Sequence, residues 1–81
     1  MTRLPRDMDG RELAKRLERL GYSIVRQTGS HIRLTCTQPN EHHITIPDHR
    51  PLKPGTLAAI LRAVADHCGL SRDELVRRLT Q

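Results

Sequence analysis

The spacing of apolar positions changes twice along the chain. Leu13, Ala14, Leu17 and Leu20 recur at three- and four-residue intervals, which is one face of a helix. Asp9 stands where an N-cap is wanted, with Glu12 three residues on. Together they read as a capping box, with Met8 and Leu13 at the staple positions. Gly21 follows where a left-handed residue ends a helix. The spacing predicts a helix over 9–20, after a lead-in over 1–8.

The period then falls to two. Tyr22 to Thr28 reads as a first strand. Its adjacent Ile24 and Val25 would face opposite sides, which leaves its orientation open. Gly29-Ser30 makes a tight turn. In residues 31–37, Ile32, Leu34 and Cys36 point one way, and His31, Arg33, Thr35 and Thr37 the other. Gln38-Pro39-Asn40-Glu41 is turn chemistry. His43 to Ile46 forms a third strand with Ile44 and Ile46 inward. Short links predict an antiparallel meander over 22–46.

Helical spacing returns after a loop over 47–55 that carries Pro47, Pro51 and Pro54. Pro54 suits the first turn of a helix, where its missing N–H costs nothing. Leu57, Ile60, Leu61, Val64 and Cys68 extend that helix over 54–68, and Gly69 stops it. Ser71 and Glu74 form a second capping box, with Leu70 and Leu75 as its staple. Leu75, Val76 and Leu79 give a short helix over 71–80 its apolar stripe. The order α-β-β-β-α-α predicts one α+β domain over 1–81, a three-stranded antiparallel sheet with helices on one face. The other face is polar and open, and it carries His31 and Arg33.

Composition narrows the function. Eighty-one residues leave no room for a cofactor fold or a deep interdomain pocket. With Tyr22 as the one aromatic residue and no Phe or Trp, the core is aliphatic and base stacking is a poor mode of recognition. No apolar run reaches the roughly 20 residues of a membrane span. The first ten residues have no apolar signal region. Cys36 and Cys68 make neither a disulfide framework nor a CxxC site, so the expected compartment is the reducing cytoplasm. The formal charge is +5, and twelve of the fourteen basic residues are Arg. Arg presents a planar donor fork that suits phosphate, so nucleic acid is one expected partner and an acidic protein the other.

Candidate chemistry centres on Gly29-Ser30-His31. The glycine permits the turn, and the serine with nearby backbone N–H groups can hold an anion. His31 follows on the outward face with Arg33 two residues on. Imidazole moves protons in either direction near neutral pH. A histidine and cations on an open sheet fit phosphodiester cleavage without metal. Arg33 with Arg26 or Lys53 would neutralise phosphate. Lys53, Gly55 and Thr56 lie at a helix start, which is also an anion site. His43 shares the outward parity of His31 and is a candidate auxiliary group. His49, in the proline loop, either bonds loop carbonyls or meets RNA. Cys36, His42, His43, His49, His67 and Cys68 are weighed as metal ligands and none is assigned. Cys36 and His43 would face opposite sides, and Cys68 falls on an apolar stripe. Ser30 has no Asp-His relay around it, so it orients phosphate or the turn. Three readings stay open on these residues: a ribonuclease, an RNA-binding module without catalysis, and an adaptor for an acidic protein.

Gly29-Ser30-His31, then Ile46-Pro47-Asp48-His49, then Leu52-Lys53-Pro54-Gly55-Thr56-Leu57 and Ile60-Leu61-Arg62 together resemble the HicA toxin family of type II toxin–antitoxin systems. The likeness runs from about Asp9 to Leu79. It implies a fold like that of double-stranded-RNA-binding domains. It also implies an mRNA interferase whose single essential histidine maps onto His31, without a cofactor. A HicB-like antitoxin would cover the site. The second helix is about one turn longer than the family's usual, and the basic lead-in is longer too.

Overall fold

The computed structural model describes residues 7–80, so most of the expected lead-in, residues 1–6, lies outside the described residues. The first helix, α1, is Gly10–Leu17, and it tightens into a 3₁₀ turn over Glu18–Leu20. Gly21 ends it at φ 96°, a left-handed conformation open to glycine.

The expected capping box at this helix does not form. Asp9 occupies the N-cap position, but its side chain makes no capping bond. Glu12 turns instead to Arg16, one helical turn on, at 3.1 Å. The helix start is held by the chain that follows the sheet: the Gly10 N–H donates to the His49 carbonyl at 3.0 Å. A Cβ on Gly10 would run into the Pro47 carbonyl oxygen, so this approach is open to glycine alone.

Three strands follow: β1, Ser23–Thr28; β2, His31–Cys36; and β3, His42–Pro47. They form an antiparallel sheet in the order β1-β2-β3. Tyr22, expected in the first strand, precedes it and is buried in the core. The third strand is longer than expected by one residue at each end, His42 and Pro47. A bulge settles the orientation of β1. Ile24 lies opposite Leu34 and Arg26 opposite Arg33, so Val25 is the extra residue. The adjacent apolar pair thus marks a break in alternation rather than a two-sided strand.

Alternation in β2 is clean. Ile32, Leu34 and Cys36 are buried, whereas His31 and Arg33 are exposed. The buried row meets Leu13, Ala14 and Leu17 from α1, and Leu61 and Val64 from the second helix, α2. That helix is Pro54–Cys68, with Pro54 in its first turn and Gly69 at φ 67° ending it. The last helix, α3, is Arg72–Leu79. Ser71 caps it by accepting the Glu74 N–H at 3.1 Å. Its box is half made, because the Glu74 carboxylate reaches Arg77 and Arg78 instead. Leu75, Val76 and Leu79 are fully buried. Arg16 of α1 donates to the Leu79 carbonyl at 2.6 Å, which ties the two ends of the fold together. The result is α+β, with the open sheet face left to solvent.

Candidate nucleic-acid site on the open sheet face

Gly29 and Ser30 are the two loop residues between Thr28 and His31, which pair directly across β1 and β2. Gly29 takes φ 52° with nothing within 4 Å of where a Cβ would stand. Glycine is needed here for its backbone angle, as in short hairpin loops, whereas Gly10 is needed for space. The turn is also clamped from outside. The Asp48 N–H donates to the Ser30 carbonyl at 2.6 Å, and Pro47 pairs with His31 across β2 and β3. His31 is therefore fixed at its backbone on both sides, with its side chain exposed. Ser30 Oγ stands 3.5 Å from His31 Nδ1, and Nε2 has no hydrogen-bond partner among the described residues.

The cations beside it come from register. Arg26 lies opposite Arg33, and Thr45 lies opposite Arg33 on the other side. Like charges placed directly across a sheet repel. An anion lying over both would remove that cost. Arg26, Arg33, His31 and Thr28 thus share one polar face at the hairpin end of the sheet.

Other expected groups are placed differently. His43 pairs with Thr35, four residues along β2 from His31, or about 13 Å at ~3.3 Å per residue. Its Nδ1 lies 2.8 Å from Thr35 Oγ1 and its Nε2 3.3 Å from Glu41. It does not reach His31. His49 is exposed, and it binds the loop through its own backbone carbonyl, to Gly10, rather than through its ring. Lys53 is exposed at the N-cap of α2, and Thr56 is half-buried in its first turn. They belong to the helical layer, and the structure shows no contact from them to His31, Arg26 or Arg33 among the described residues; the 48–52 loop connects that layer to β3, and the buried Leu52 pins the loop by donating its N–H to the Met8 carbonyl at 2.9 Å.

Two residues gain a place that sequence reasoning did not assign. Asp48 accepts from Arg11 Nε at 3.1 Å through Oδ2, while its Oδ1 is buried without a partner. Its N–H is the clamp on Ser30. The signal lay in the Pro47-Asp48 pair closing β3.

The remaining histidines form a separate cluster at the far end of the sheet. His42 and His67 stack at 4.4 Å and 17°. The Tyr22 hydroxyl lies 2.7 Å from His42 Nδ1, and His67 Nε2 lies 2.9 Å from the Gln38 carbonyl. Burial, with help from the Cys68 and Cys36 thiols, pushes the Tyr22 hydroxyl up, so it keeps its proton. The hydroxyl and Nδ1 thus share a hydrogen bond whose direction follows the His42 tautomer. Burial, then the neighbouring His67 and His43, push His42 below its ordinary value. Burial and the Cys36 thiol push Cys68 up. Among the described residues no group of three or more His, Cys, Asp or Glu is placed to hold a metal ion. Nor is any described helix long and apolar enough to cross a membrane.

No curated protein and no solved structure matches the chain. A family model does, described as the HicA toxin of bacterial toxin–antitoxin systems, over residues 10–65. That span starts with α1, takes in the whole sheet with its Gly29-Ser30-His31 turn, and ends inside α2. The chain belongs to the HicA toxin family.

Proposed function

We propose that this toxin is a metal-independent endoribonuclease that cleaves mRNA in the cytoplasm, with His31 as its catalytic group, and that a HicB-like antitoxin neutralises it. The observation that carries this reading is the exposed His31 beside the facing Arg26 and Arg33. In the proposed reaction, the ribose 2′-hydroxyl loses its proton to His31 as its oxygen attacks phosphorus. The bond to the 5′-oxygen breaks, and that oxygen takes a proton from solvent water at the open face. The products are a 2′,3′-cyclic phosphate and a free 5′-hydroxyl. Arg33 and Arg26 hold the phosphate and stabilise the charge that builds on it. Ser30 and the Gly29 turn set the imidazole's place, and Lys53 and Thr56 extend the anion path along the chain.

The test is cleavage of a defined mRNA by the purified protein, with and without His31→Ala, in the presence of a chelator. Loss of cleavage in the variant, and its persistence in chelator for the wild type, are expected. Equal activity in both proteins, or dependence on added divalent metal, would defeat the mechanism. RNA that binds and stays intact would instead favour a non-catalytic RNA-binding module on the same face.

A further inference from the structure

Ile24 and Val25 are the two large hydrophobic side chains left exposed among the described residues, at 40% and 56%. They stand side by side on β1, an edge strand exposed along its whole length. Below that edge, between β1 and α1, runs a groove of about 580 Å³. Ala14, Ile24 and Ile32 give it an apolar floor. Arg11, Lys15 and Arg50 line it together with the carboxylates of Asp9 and Glu12. Arg11 is already engaged by Asp48 and Glu12 by Arg16. Lys15 and Arg50 are left as cations on the rim, with Arg26 on the opposite side of the same strand.

Three occupants can be weighed. RNA fits poorly, because phosphate gains nothing from an apolar floor. A second copy would bring the same basic rim and the same +5 charge. The bulge at Val25 also keeps two such edges from lying flat together. An extended polypeptide segment fits all of the features. The edge beyond the bulge, Arg26 to Thr28, offers backbone groups for strand addition. Apolar side chains would cover Ile24 and Val25, and carboxylates would meet Lys15, Arg50 and Arg26.

We infer that the β1 edge and the groove below it form a docking strip for an extended, acidic segment of a partner protein. In a toxin–antitoxin pair that partner is the antitoxin. The identity of the partner rests on the proposed function above, whereas the surface and its chemistry do not. A strand added at that edge runs beside Arg26, whose side chain stands on the His31 face, and so competes with RNA for that cation.

The experiment uses the full chain and the product of the gene adjacent to it, with binding read by calorimetry. Val25→Lys is expected to weaken binding at least tenfold, and Val25→Ile to leave it within twofold. Ile24→Gln provides a second variant, and circular dichroism checks that each is folded. Hydrogen exchange at the amides of residues 23–28 is expected to slow in the complex. Binding of Val25→Lys within twofold of the wild type, or unchanged exchange at β1, overturns the inference. So does exchange at β1 that slows in the toxin alone as its concentration rises, which would mean self-association. Binding does not need catalysis, so a failure to cleave RNA defeats the ribonuclease proposal and leaves this result readable.

Discussion

Arg26 and Arg33 lie directly opposite each other across β1 and β2, on the face that carries His31. Two guanidinium groups so placed repel, and water screens them only in part. The pair is thus suited to a polyanion more than to the free protein. Arg33→Gln is expected to leave stability unchanged or slightly raised. The same change should weaken RNA binding and lower the slope of log K against log salt by about 0.7. Binding titrations at several salt concentrations, with urea melts alongside, check both. A parallel fall in stability and affinity would mean that Arg33 serves the fold.

Two glycines carry separable predictions. Gly10→Ala places a methyl group against a backbone carbonyl that cannot swing aside. Overpacking of this kind costs about 1–3 kcal/mol. It should also displace the loop that clamps Ser30, so RNA cleavage falls with stability. Gly29→Ala meets no atom, but φ 52° strains a non-glycine residue by roughly 1–3 kcal/mol. Gly29→Asn should recover part of that loss, because asparagine tolerates the left-handed region. Gly10→Asn should recover nothing. Urea unfolding of the four variants distinguishes angle from space.

The clamp on Ser30 predicts a division between backbone and side chain at Asp48. Asp48→Asn keeps the N–H that donates to Ser30 and loses the ion pair with Arg11. Arg11 is about half exposed, so that pair contributes about 0–1 kcal/mol at most. Cleavage should stay within threefold. Asp48→Pro removes the N–H itself. A turn no longer fixed beside His31 should lower kcat about tenfold or more, with a smaller change in KM. If Asp48→Asn is the more damaged of the two, the carboxylate rather than the N–H is the positioning group.

Stability should depend on pH through the far cluster. His42 titrates below its ordinary value in the folded chain, through burial and then the positive charge that His67 and His43 acquire. The folded state therefore binds fewer protons than the unfolded state below about pH 6.5. The contribution is fully present above that pH, and it is lost as pH falls through the lower folded value. His67→Asn removes one neighbouring charge, which brings the folded His42 value back towards its ordinary one, so the loss should be smaller and complete at a higher pH. Melting temperature measured from pH 8 down to pH 5 reads this directly. A midpoint unmoved by His67→Asn would assign the pH dependence to other groups.

The fold was legible where side-chain period alone decides it. Leu57 to Cys68 announced α2, and Ile32, Leu34 and Cys36 announced β2, because each row faces one side of a regular element. What failed were features settled by distant chain. Asp9 and Glu12 satisfy the pattern of a capping box, yet Arg16 takes the Glu12 carboxylate and the helix start is held instead by the His49 carbonyl, through the Gly10 N–H. Val25 looked like a second face of β1 because a bulge inserts a residue without any local sequence mark. The candidate site's placement was half legible. Outward parity put His31 and Arg33 on the open face, and register placed Arg26 beside them. Parity also selected His43, since alternation fixes a face but not a position along it. Asp48 acts through its backbone N–H, a group that every residue except proline possesses, so its identity carried little signal.

The last helix lies beyond the residues matched to the family model, yet packing makes it part of the fold. Leu75, Val76 and Leu79 are fully buried, and the Leu79 carbonyl accepts from Arg16 of α1 at 2.6 Å. Leu79→Ala removes three buried methyl-sized groups and leaves a cavity against the core, at about 2–5 kcal/mol. A small domain is stable by only ~5–15 kcal/mol, and short chains lie at the low end. Leu79→Ala should therefore shift the urea midpoint markedly and leave part of the protein unfolded at 37 °C. Arg77→Ala, on the exposed side of the same helix, should change stability by less than about 1 kcal/mol. If both variants melt like the wild type, α3 is an appendage, and the Arg16 bond to Leu79 does not hold the fold together.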